Sequence, residues 1–361
     1  MNIVYGISGF GNGHVARSAS VLKALLARGH RIAVMGFDNS ERYITANYPA
    51  IPLLRIKVPV LHPSPTGLDF GKIANDPANL YDDGIAHNYR AMQDALDYFG
   101  GPPNVVLSDY ELVAAQFAYA TLRPLISIDQ HSKYPGFQFP NVNGYSRLED
   151  YARLNLFFPY ADARFAASFF KVDYPPDPKF KVTLIPPILR QDVLNLSPRV
   201  NEGEILVYVS PFARLPQSLD DIYGTFEAFS DYIFHIFLPN RHDNRANLQF
   251  YQYQLATFLD VMARCQAVIS TAGHNLLSEL VYLKKPVYVM PSATFDQQIC
   301  AQVIDSNGLG QREDSLTPTT LRRFFDRLPE FRHNLHANRG IVDGFDGVGV
   351  LMSHLAAQFG L

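Results

Sequence analysis

Apolar and polar positions alternate along this chain in the manner of a parallel α/β protein. An apolar run at 2–6 is followed, after a glycine-rich turn, by apolar residues at helical spacing from Val15 to Leu26. Gly29 ends that series, and a second apolar run occupies 31–36. A strand, an amphipathic helix and another strand form a βαβ unit. The opening of the chain therefore predicts a doubly wound parallel sheet.

The same alternation continues through the first half of the chain. A buried strand is predicted within NVVLSDYE (104–111), a helix in AAQFAYATL, and another strand in PLISIDQHS, which ends in Asp129, Gln130 and His131. Between these units, the stretch VPVLHPSPTGLDFGK (58–72) is irregular and rich in proline and glycine. Long insertions of this kind often carry binding residues.

The second half restarts the pattern after a polar segment. LSPRVNEG (196–203) contains proline and is predicted to be a linker. Beyond it, apolar strands are predicted at EILVYVS, YIFHIFL, QAVIST and PVYVMP, with helical stretches between them. We expect two tandem Rossmann-like domains, residues 1–195 and 204–340, and a last helix within 345–361 that packs back on the first domain.

Composition and charge narrow the classes of function. With 361 residues, the chain is long enough for two domains that each bury a core. Hydrophobic residues make up 47% and charged residues 18%, and no run approaches the roughly 20 apolar residues of a membrane span. A formal net charge of -3 argues against stable binding to nucleic acid. We expect no stable membrane binding either.

The N-terminus and the cysteines bear on the compartment. MNIVYGIS lacks a basic n-region and is predicted to be a first strand, so we expect a cytoplasmic protein. Cys265 and Cys300 fit no zinc-binding spacing and lie in apolar contexts. We expect two buried, reduced thiols.

The run AVISTAGHNLLSELVYLKKPVYVMPSATFDQQICAQVI (267–304) combines a strand end, small residues at 272–273 and a helix start near Asn275. N–H groups at a helix N-terminus are unpaired and carry partial positive charge, which suits a diphosphate. Glu279, about one turn into the helix, is placed to accept hydrogen bonds from a ribose diol. The segment therefore predicts a nucleotide site.

This run resembles the donor-site motif of glycosyltransferases with the GT-B fold, particularly the UDP-glycosyltransferases and the bacterial peptidoglycan N-acetylglucosaminyltransferases. The matching positions are Gly273, Asn275, Glu279, Pro286, Pro291, Asp296 and Gln297. The resemblance implies two Rossmann-like domains that face each other across a cleft. It implies that the backbone around Gly273, His274 and Asn275 contacts the diphosphate. Glu279 would bind the ribose, and Asp296 with Gln297 the sugar.

Two positions depart from the family pattern. Thr271 stands where plant-type enzymes place a phosphate-binding histidine, and His274 stands at their tryptophan position. Either side chain could supply the missing phosphate contact. Tyr251 and Tyr253 fall near the place where such families stack the nucleobase, although half-buried strand tyrosines would show the same pattern.

The N-terminal segment GISGFGNGHVARS also resembles the GT-B pattern, in which a loop after the first strand carries Gly-x-Gly-x-His. Glycine lets an acceptor approach the backbone, and a histidine there can take a proton from its hydroxyl group. His14 is the candidate base. Asp109 ends a later strand of the same predicted sheet, so it can meet His14 at the carboxyl edge and fix its tautomer. UDP-glycosyltransferases use such a His–Asp pair.

The remaining candidates surround this pair. Glu111 and His131 are further polar groups on the same sheet edge. Arg17 could hold a phosphate, lie at the domain interface or be solvated. The expected acceptor-binding residues are Gly11, Gly13, Arg17, His62 and His131.

Other interpretations of the N-terminal segment stay open. A histidine after glycine is often simply one of the first residues of a helix. A nicotinamide-binding Rossmann site would explain the glycines and would use Asp38 for the ribose, but the spacing of its third glycine is missing. No two aspartates are separated by a single residue and no HExxH occurs, so we expect no metal site.

The sequence thus predicts a metal-independent, inverting glycosyltransferase that uses a nucleoside-diphosphate sugar, in particular a UDP-sugar, as co-substrate and needs no cofactor. The acceptor is not identified by these residues. The alternatives are a nucleotide-sugar 2-epimerase of related fold, which would process the donor without an acceptor, and a non-catalytic nucleotide-sugar-binding protein.

Overall fold

A computed structural model of the chain describes residues 1–64, 67–80, 83–209, 217–238 and 243–361. Ser210, the last residue of the predicted strand EILVYVS, and two residues of the insertion 58–72 lie outside this set. The chain divides into two compact units. The N-terminal unit comprises Met1–Ser168, Val172–Arg190 and Asp346–Leu361. The C-terminal unit comprises Phe169–Lys171 and Gln191–Phe345.

The N-terminal unit is built on a seven-stranded parallel sheet and also contains a separate two-stranded antiparallel sheet. Its strands are β1 (Asn2–Ile7), β2 (Arg31–Gly36), β3 (Leu53–Arg55), β4 (Pro63–Ser64), β5 (Gly67–Leu68), β6 (Val105–Asp109), β7 (Leu125–Asp129), β8 (Ala163–Ala167) and β9 (Thr183–Ile185). The order in the large sheet is β3-β2-β1-β6-β7-β8-β9, and β4 pairs with β5.

Helices connect these strands. They are α1 (Gly11–Ala27), α2 (Asp38–Asn47), α3 (Phe70–Ala74), α4 (Pro77–Leu80), α5 (Gly84–Phe99), α6 (Leu112–Thr121), α7 (Lys133–Gly136) and α8 (Leu148–Phe157). The helix predicted after the glycines starts earlier than expected, because Gly11 and Gly13 lie in the first turn of α1. Gly29 ends it in the left-handed conformation, at φ +77.

The C-terminal unit repeats the architecture with a six-stranded parallel sheet in the order β12-β11-β10-β13-β14-β15. Its strands are β10 (Asn201–Tyr208), β11 (Ile233–Leu238), β12 (Leu248–Gln252), β13 (Cys265–Ser270), β14 (Val287–Val289) and β15 (Gly310–Arg312). Its helices are α9 (Gln191–Leu194), α10 (Leu219–Glu227), α11 (Leu255–Arg264), α12 (His274–Tyr282), α13 (Phe295–Ser306), α14 (Pro318–Asp326) and α15 (Leu328–His336).

The last helix, α16 (Gly347–Phe359), belongs to the N-terminal unit. Leu351, Met352 and Leu355 are buried in one core cluster with residues of the sheet, among them Ile3 and Ile185. Asp346 caps the helix by accepting a hydrogen bond from the N–H of Gly349 at 2.8 Å. The end of the chain therefore completes the core that its beginning starts.

The observed division differs in detail from the predicted linker. It falls between Arg190 and Gln191, whereas the polar segment 196–203 was expected to separate the domains. Part of that segment is strand, because β10 already begins at Asn201. Among the residues that the structure describes, no helix is long and apolar enough to cross a membrane.

Strand order defines one switch point in each unit. In the N-terminal unit the order reverses between β1 and β6, and in the C-terminal unit between β10 and β13. Ligands of open α/β sheets bind beyond the carboxyl ends of the strands at such points. The segments that follow β1, β6 and β13 are therefore the expected positions of ligand-binding residues.

Candidate active site

His14 and Asp109 meet at the switch point of the N-terminal unit. The register pairs Ile7 at the end of β1 with Asp109 at the end of β6. His14 lies in the first turn of α1, and its Nδ1 atom is 2.8 Å from Oδ1 of Asp109. The structure thus brings together the two residues that the sequence analysis selected as base and partner.

The carboxylate of Asp109 is fully buried and surrounded by donors. Besides His14, it accepts hydrogen bonds from Ser18 Oγ at 2.6 Å, from Arg17 Nε at 3.0 Å and from Arg17 Nη2 at 2.5 Å. Burial raises the pKa of Asp109, but the guanidinium of Arg17 and the bond from His14 outweigh it and lower the pKa to about 2. Asp109 is therefore ionised at neutral pH.

This arrangement fixes the protonation of His14. A carboxylate only accepts hydrogen bonds, so Nδ1 carries the hydrogen and Nε2 keeps a lone pair in the neutral ring. Desolvation lowers the pKa of His14 below its ordinary value, with Asp109 acting in the opposite direction. The side chain is 12% exposed, and no hydrogen bond to Nε2 occurs among the described residues. His14 is thus a neutral imidazole with its basic nitrogen available.

Arg17 corrects one expectation. It was expected to bind the acceptor, but it is 1% exposed. Its guanidinium bonds to Asp109 and, through Nη1, to Oε1 of Gln130 at 3.1 Å. Because a buried arginine paired with a carboxylate has no surface to offer a substrate, Arg17 acts on Asp109 instead.

A second histidine–aspartate pair lies beside the first. Nδ1 of His131 is 2.9 Å from Oδ1 of Asp150, which is fully buried in α8. The rings of His131 and His14 are 6.4 Å apart and nearly parallel, at 21°. Tyr110 contacts both rings, with centroid distances of 5.6 Å to His14 and 4.7 Å to His131. Neither Asp150 nor Tyr110 was selected from the sequence.

The other N-terminal candidates take different places. Gly11 has φ +71, and a Cβ there would meet no described atom within 4 Å. His62 bonds through Nε2 to Asp76 at 2.8 Å, and no contact in the described part of the chain joins it to His14. Glu111 is not a spare base: it caps α6 by accepting hydrogen bonds from backbone N–H groups. Burial raises the pKa of Glu111 to about 7.

The donor candidates surround the N-terminus of α12, which follows β13. Gly273 is the N-cap residue, and no described side chain caps the helix there. A Cβ at Gly273 would meet no described atom within 4 Å. The turn therefore places the first backbone amides of α12, with Asn275 in the first turn, at the positive end of a helix dipole.

Two side chains near this turn differ from what was expected. His274 is 1% exposed, and its ring packs 5.2 Å from that of Phe169, so its side chain is not available to a phosphate. Only its backbone can serve. Thr271 is buried next to it, between β13 and the turn. Glu279 lies farther along α12 and is also largely buried.

The sugar-binding candidates lie in the first turn of α13. Oδ1 of Asp296 accepts a hydrogen bond from the hydroxyl of Thr294 at 2.7 Å. Oε1 of Gln297 accepts one from the N–H of Ser292 at 3.0 Å. These bonds hold both side chains in place and leave the Nε2 group of Gln297 to donate to a ligand.

Tyr251 and Tyr253 lie in different environments. Tyr251 stacks on Phe237 at 5.0 Å and its hydroxyl lies 3.1 Å from Nδ1 of His235, so it has the role of a half-buried strand residue. These contacts favour the half-buried strand tyrosine, the second of the two interpretations that the sequence left open for Tyr251. Tyr253 follows the end of β12, at the carboxyl edge of the sheet, and packs on Phe258.

No group of three histidine, cysteine, aspartate or glutamate residues is placed to hold a metal ion in the part of the chain that the structure describes. The N-terminal unit offers a fixed imidazole, and the C-terminal unit offers the backbone amides of a helix N-terminus.

Comparison with solved structures shows the fold. The glycotransferase of kitacinnamycin aligns with a TM-score of 0.70 at 16% identity, over 99% of this chain and 98% of that one. UGT2 of Phytolacca americana, solved with UDP-2fluoro-glucose and pterostilbene, aligns with a TM-score of 0.66 at 12% identity, over 99% of both chains. A variant of Os79 from O. sativa, solved with UDP, gives 0.66 at 15% identity, over 98% of this chain and 99% of that one.

A search of curated proteins by sequence found no match. A family model, described as glycosyl transferase family 1, matches residues 1–329. Since that match covers most of the chain, and the solved structures share the GT-B fold over nearly all of it, the protein belongs to glycosyl transferase family 1 and is a glycosyltransferase.

Proposed function

We propose that this glycosyltransferase moves a sugar from a UDP-sugar to an acceptor hydroxyl by a single, metal-independent displacement that inverts the anomeric configuration. The N-terminal unit supplies the base and binds the acceptor. The C-terminal unit binds the donor and stabilises the leaving diphosphate.

The base step follows from the His14 geometry. Nε2 of His14 takes the proton of the acceptor hydroxyl while the oxygen attacks the anomeric carbon. The bond from that carbon to the diphosphate breaks, and its electron pair leaves with UDP. Asp109 stabilises the imidazolium that forms, and Arg17 with Ser18 keeps Asp109 in position.

The donor step uses the open turn before α12. The leaving diphosphate gains negative charge as the bond breaks, and the amides after residue 272 stabilise that charge without a metal ion. Glu279 binds the ribose, and Asp296 with Gln297 binds the sugar. UGT2 of Phytolacca americana, solved with UDP-2fluoro-glucose, and Os79, solved with UDP, support a uridine nucleotide as donor.

One observation carries the proposal. A histidine whose Nδ1 is held by a fully buried aspartate, with Nε2 available, lies at the switch point of a sheet in a glycosyltransferase fold. Such an imidazole is a general base prepared before the substrate arrives.

Donor turnover tests the proposal against its alternatives. Incubation of the enzyme with UDP-glucose and a panel of hydroxyl acceptors in EDTA should give glucoside and UDP, and NMR should show inverted anomeric configuration in the product. Without acceptor, only slow hydrolysis should occur. Conversion of the donor to its 2-epimer without acceptor would show an epimerase, and tight UDP-glucose binding without any turnover would show a binding protein.

A further inference from the structure

The His131–Asp150 pair repeats the construction of the proposed base a short distance away. In both pairs, Nδ1 is held by a fully buried carboxylate, at 2.8 Å for His14 and 2.9 Å for His131. In both, the imidazole is mostly buried and slightly exposed, the side chain of His131 by 9%. The sheet edge therefore presents two imidazoles of the same tautomer.

The direction of the second nitrogen follows from the ring itself. Nδ1 and Nε2 lie on opposite sides of an imidazole, so a ring whose Nδ1 points to a buried carboxylate turns Nε2 away from it. No hydrogen bond to Nε2 of His131 occurs among the residues that the structure describes, and this atom is not among the fully buried polar atoms without a partner. The ring of His131 lies 6.4 Å from the ring of His14, so its Nε2 atom is in the immediate neighbourhood of the proposed base.

The local backbone is strained to hold this arrangement. Tyr110, between Asp109 and the N-cap of α6, has φ +54, which is costly for a residue with a side chain. Its ring lies against both imidazoles and against Phe157. Packing of this kind keeps the two histidines at a fixed spacing, 6.4 Å between ring centroids.

We propose that His131, oriented by Asp150, is a second hydroxyl-binding residue of the acceptor site, so that the preferred acceptor carries a neighbouring hydroxyl beside the one that His14 deprotonates. This inference rests on the proposed function of His14. Nε2 of His131 accepts a hydrogen bond from that second hydroxyl, which orients the first one. The substrate class is thus a vicinal diol, either a catechol-type phenol or a sugar.

The chemistry of His131 differs from that of the base. A hydroxyl that only accepts or donates a hydrogen bond keeps its proton, so His131 contributes to binding and orientation and not to bond breaking. A site built to bond a hydroxyl rejects analogues without it, because its own polar atom then stays unpaired. The effect should therefore be largest in the ratio between matched acceptors.

The test uses acceptor pairs that differ by one hydroxyl: 6,7-dihydroxycoumarin with 7-hydroxycoumarin, catechol with phenol, and methyl glucoside with its deoxy analogues. For each pair, kcat/KM is measured with UDP-glucose for the wild type, His131→Phe, His131→Gln and Asp150→Asn. The control is His336→Phe, which changes an exposed histidine of α15. Circular dichroism and thermal melting establish that each variant is folded.

The expected result is that the wild type prefers the diol in at least one pair by about tenfold or more, and that His131→Phe reduces this ratio to near one. Asp150→Asn and His131→Gln should reduce it partly, and His336→Phe should keep it. Equal use of both members in every pair, or a preference that persists in folded His131→Phe, would overturn the inference. If the wild type neither transfers glucose to any of these compounds nor hydrolyses UDP-glucose, that result would instead contradict the proposed function.

Discussion

The two switch points differ in the kind of group that they present, side chains in the N-terminal unit and backbone amides in the C-terminal unit. At the carboxyl edge of the N-terminal sheet, the chemistry lies in side chains, and His14, Arg17, Ser18 and Asp109 form one buried network. At the turn before α12 in the C-terminal unit, we propose that it lies in the backbone, because no described side chain caps the helix at Gly273 and the neighbouring His274 side chain is buried.

Under the proposed function, the difference follows from the charge that each place has to stabilise. A base must hold a proton at one atom in one direction, which requires a carboxylate and the groups that keep that carboxylate ionised. A diphosphate spreads its charge over several oxygens, and a helix N-terminus offers several N–H groups at once. We therefore expect activity to depend mainly on side-chain substitutions in the N-terminal unit, and ligand binding to depend mainly on substitutions at the helix cap in the C-terminal unit.

The largest expected effect is on turnover after loss of the base. His14→Ala should lower kcat about 10²- to 10⁴-fold, the usual contribution of a positioned general base. UDP binding, measured by thermal shift, should stay as in the wild type because the proposed donor residues lie in the C-terminal unit. If His14→Ala lost both UDP binding and turnover, the proposed division of tasks between the two units would be wrong.

Removal of Arg17 should act on stability. Asp109 has a pKa of about 2 in the folded protein, below its ordinary value of 3.8, so its ionised form stabilises the fold above about pH 4 and this contribution is lost as pH falls toward 2. Arg17→Met leaves that buried charge without its main partner and should cost about 3–5 kcal/mol in urea unfolding at pH 7. Arg42→Met, at an exposed arginine of α2, is the control and should cost under about 0.5 kcal/mol. A similar cost for both variants would contradict the role given to Arg17.

A substitution at the N-cap of α12 should change the stability of the fold and the affinity for UDP in opposite directions. Gly273 has φ -67 and space for a side chain, so Gly273→Asp can cap α12 and should stabilise the fold by about 0.5 kcal/mol. The added carboxylate occupies the N–H groups and repels a diphosphate, so UDP should bind at least about tenfold more weakly by calorimetry. Gly273→Ser, a neutral cap, should weaken UDP binding less. Unchanged UDP affinity in Gly273→Asp would place the anion elsewhere.

The smallest effect is in the pH profile. Burial lowers the pKa of His14 below 6.5, and the neutral form is the active one. The value of kcat/KM should therefore be level between pH 7 and 8 and fall with decreasing pH only below about 6.5. Transfer rates measured from about pH 5 to 8.5 at constant ionic strength check this. An acidic limb centred above pH 7 would mean that Asp109 raises the pKa of His14 more than burial lowers it.

The alternation of strands and helices along the sequence was enough to predict which candidate residues lie at the carboxyl edge of each sheet. Because parallel strands end at one edge, a histidine after β1 and an aspartate at the end of β6 had to lie near each other, and the register places Asp109 opposite Ile7. The same logic located the turn before α12. These positions depend on local patterns and on topology, both of which are visible in one sequence.

Side-chain direction was less predictable. Arg17 and Ser18 lie three and four residues after His14 on the same helix, so the helical period could have indicated that all three face Asp109. No local signal links His131 to Asp150, since the pair forms only when α8 packs on the sheet edge. For Tyr251, the sequence predicted the place in the strand but not the side-chain contacts, which are with Phe237 and His235.

The most direct test of the account is a crystal structure of the protein with UDP. The pyrophosphate oxygens should lie about 2.7–3.2 Å from backbone N–H groups within residues 273–276, with the ribose hydroxyls at Glu279. A pyrophosphate held away from the N-terminus of α12, by side chains or at another helix, would contradict it.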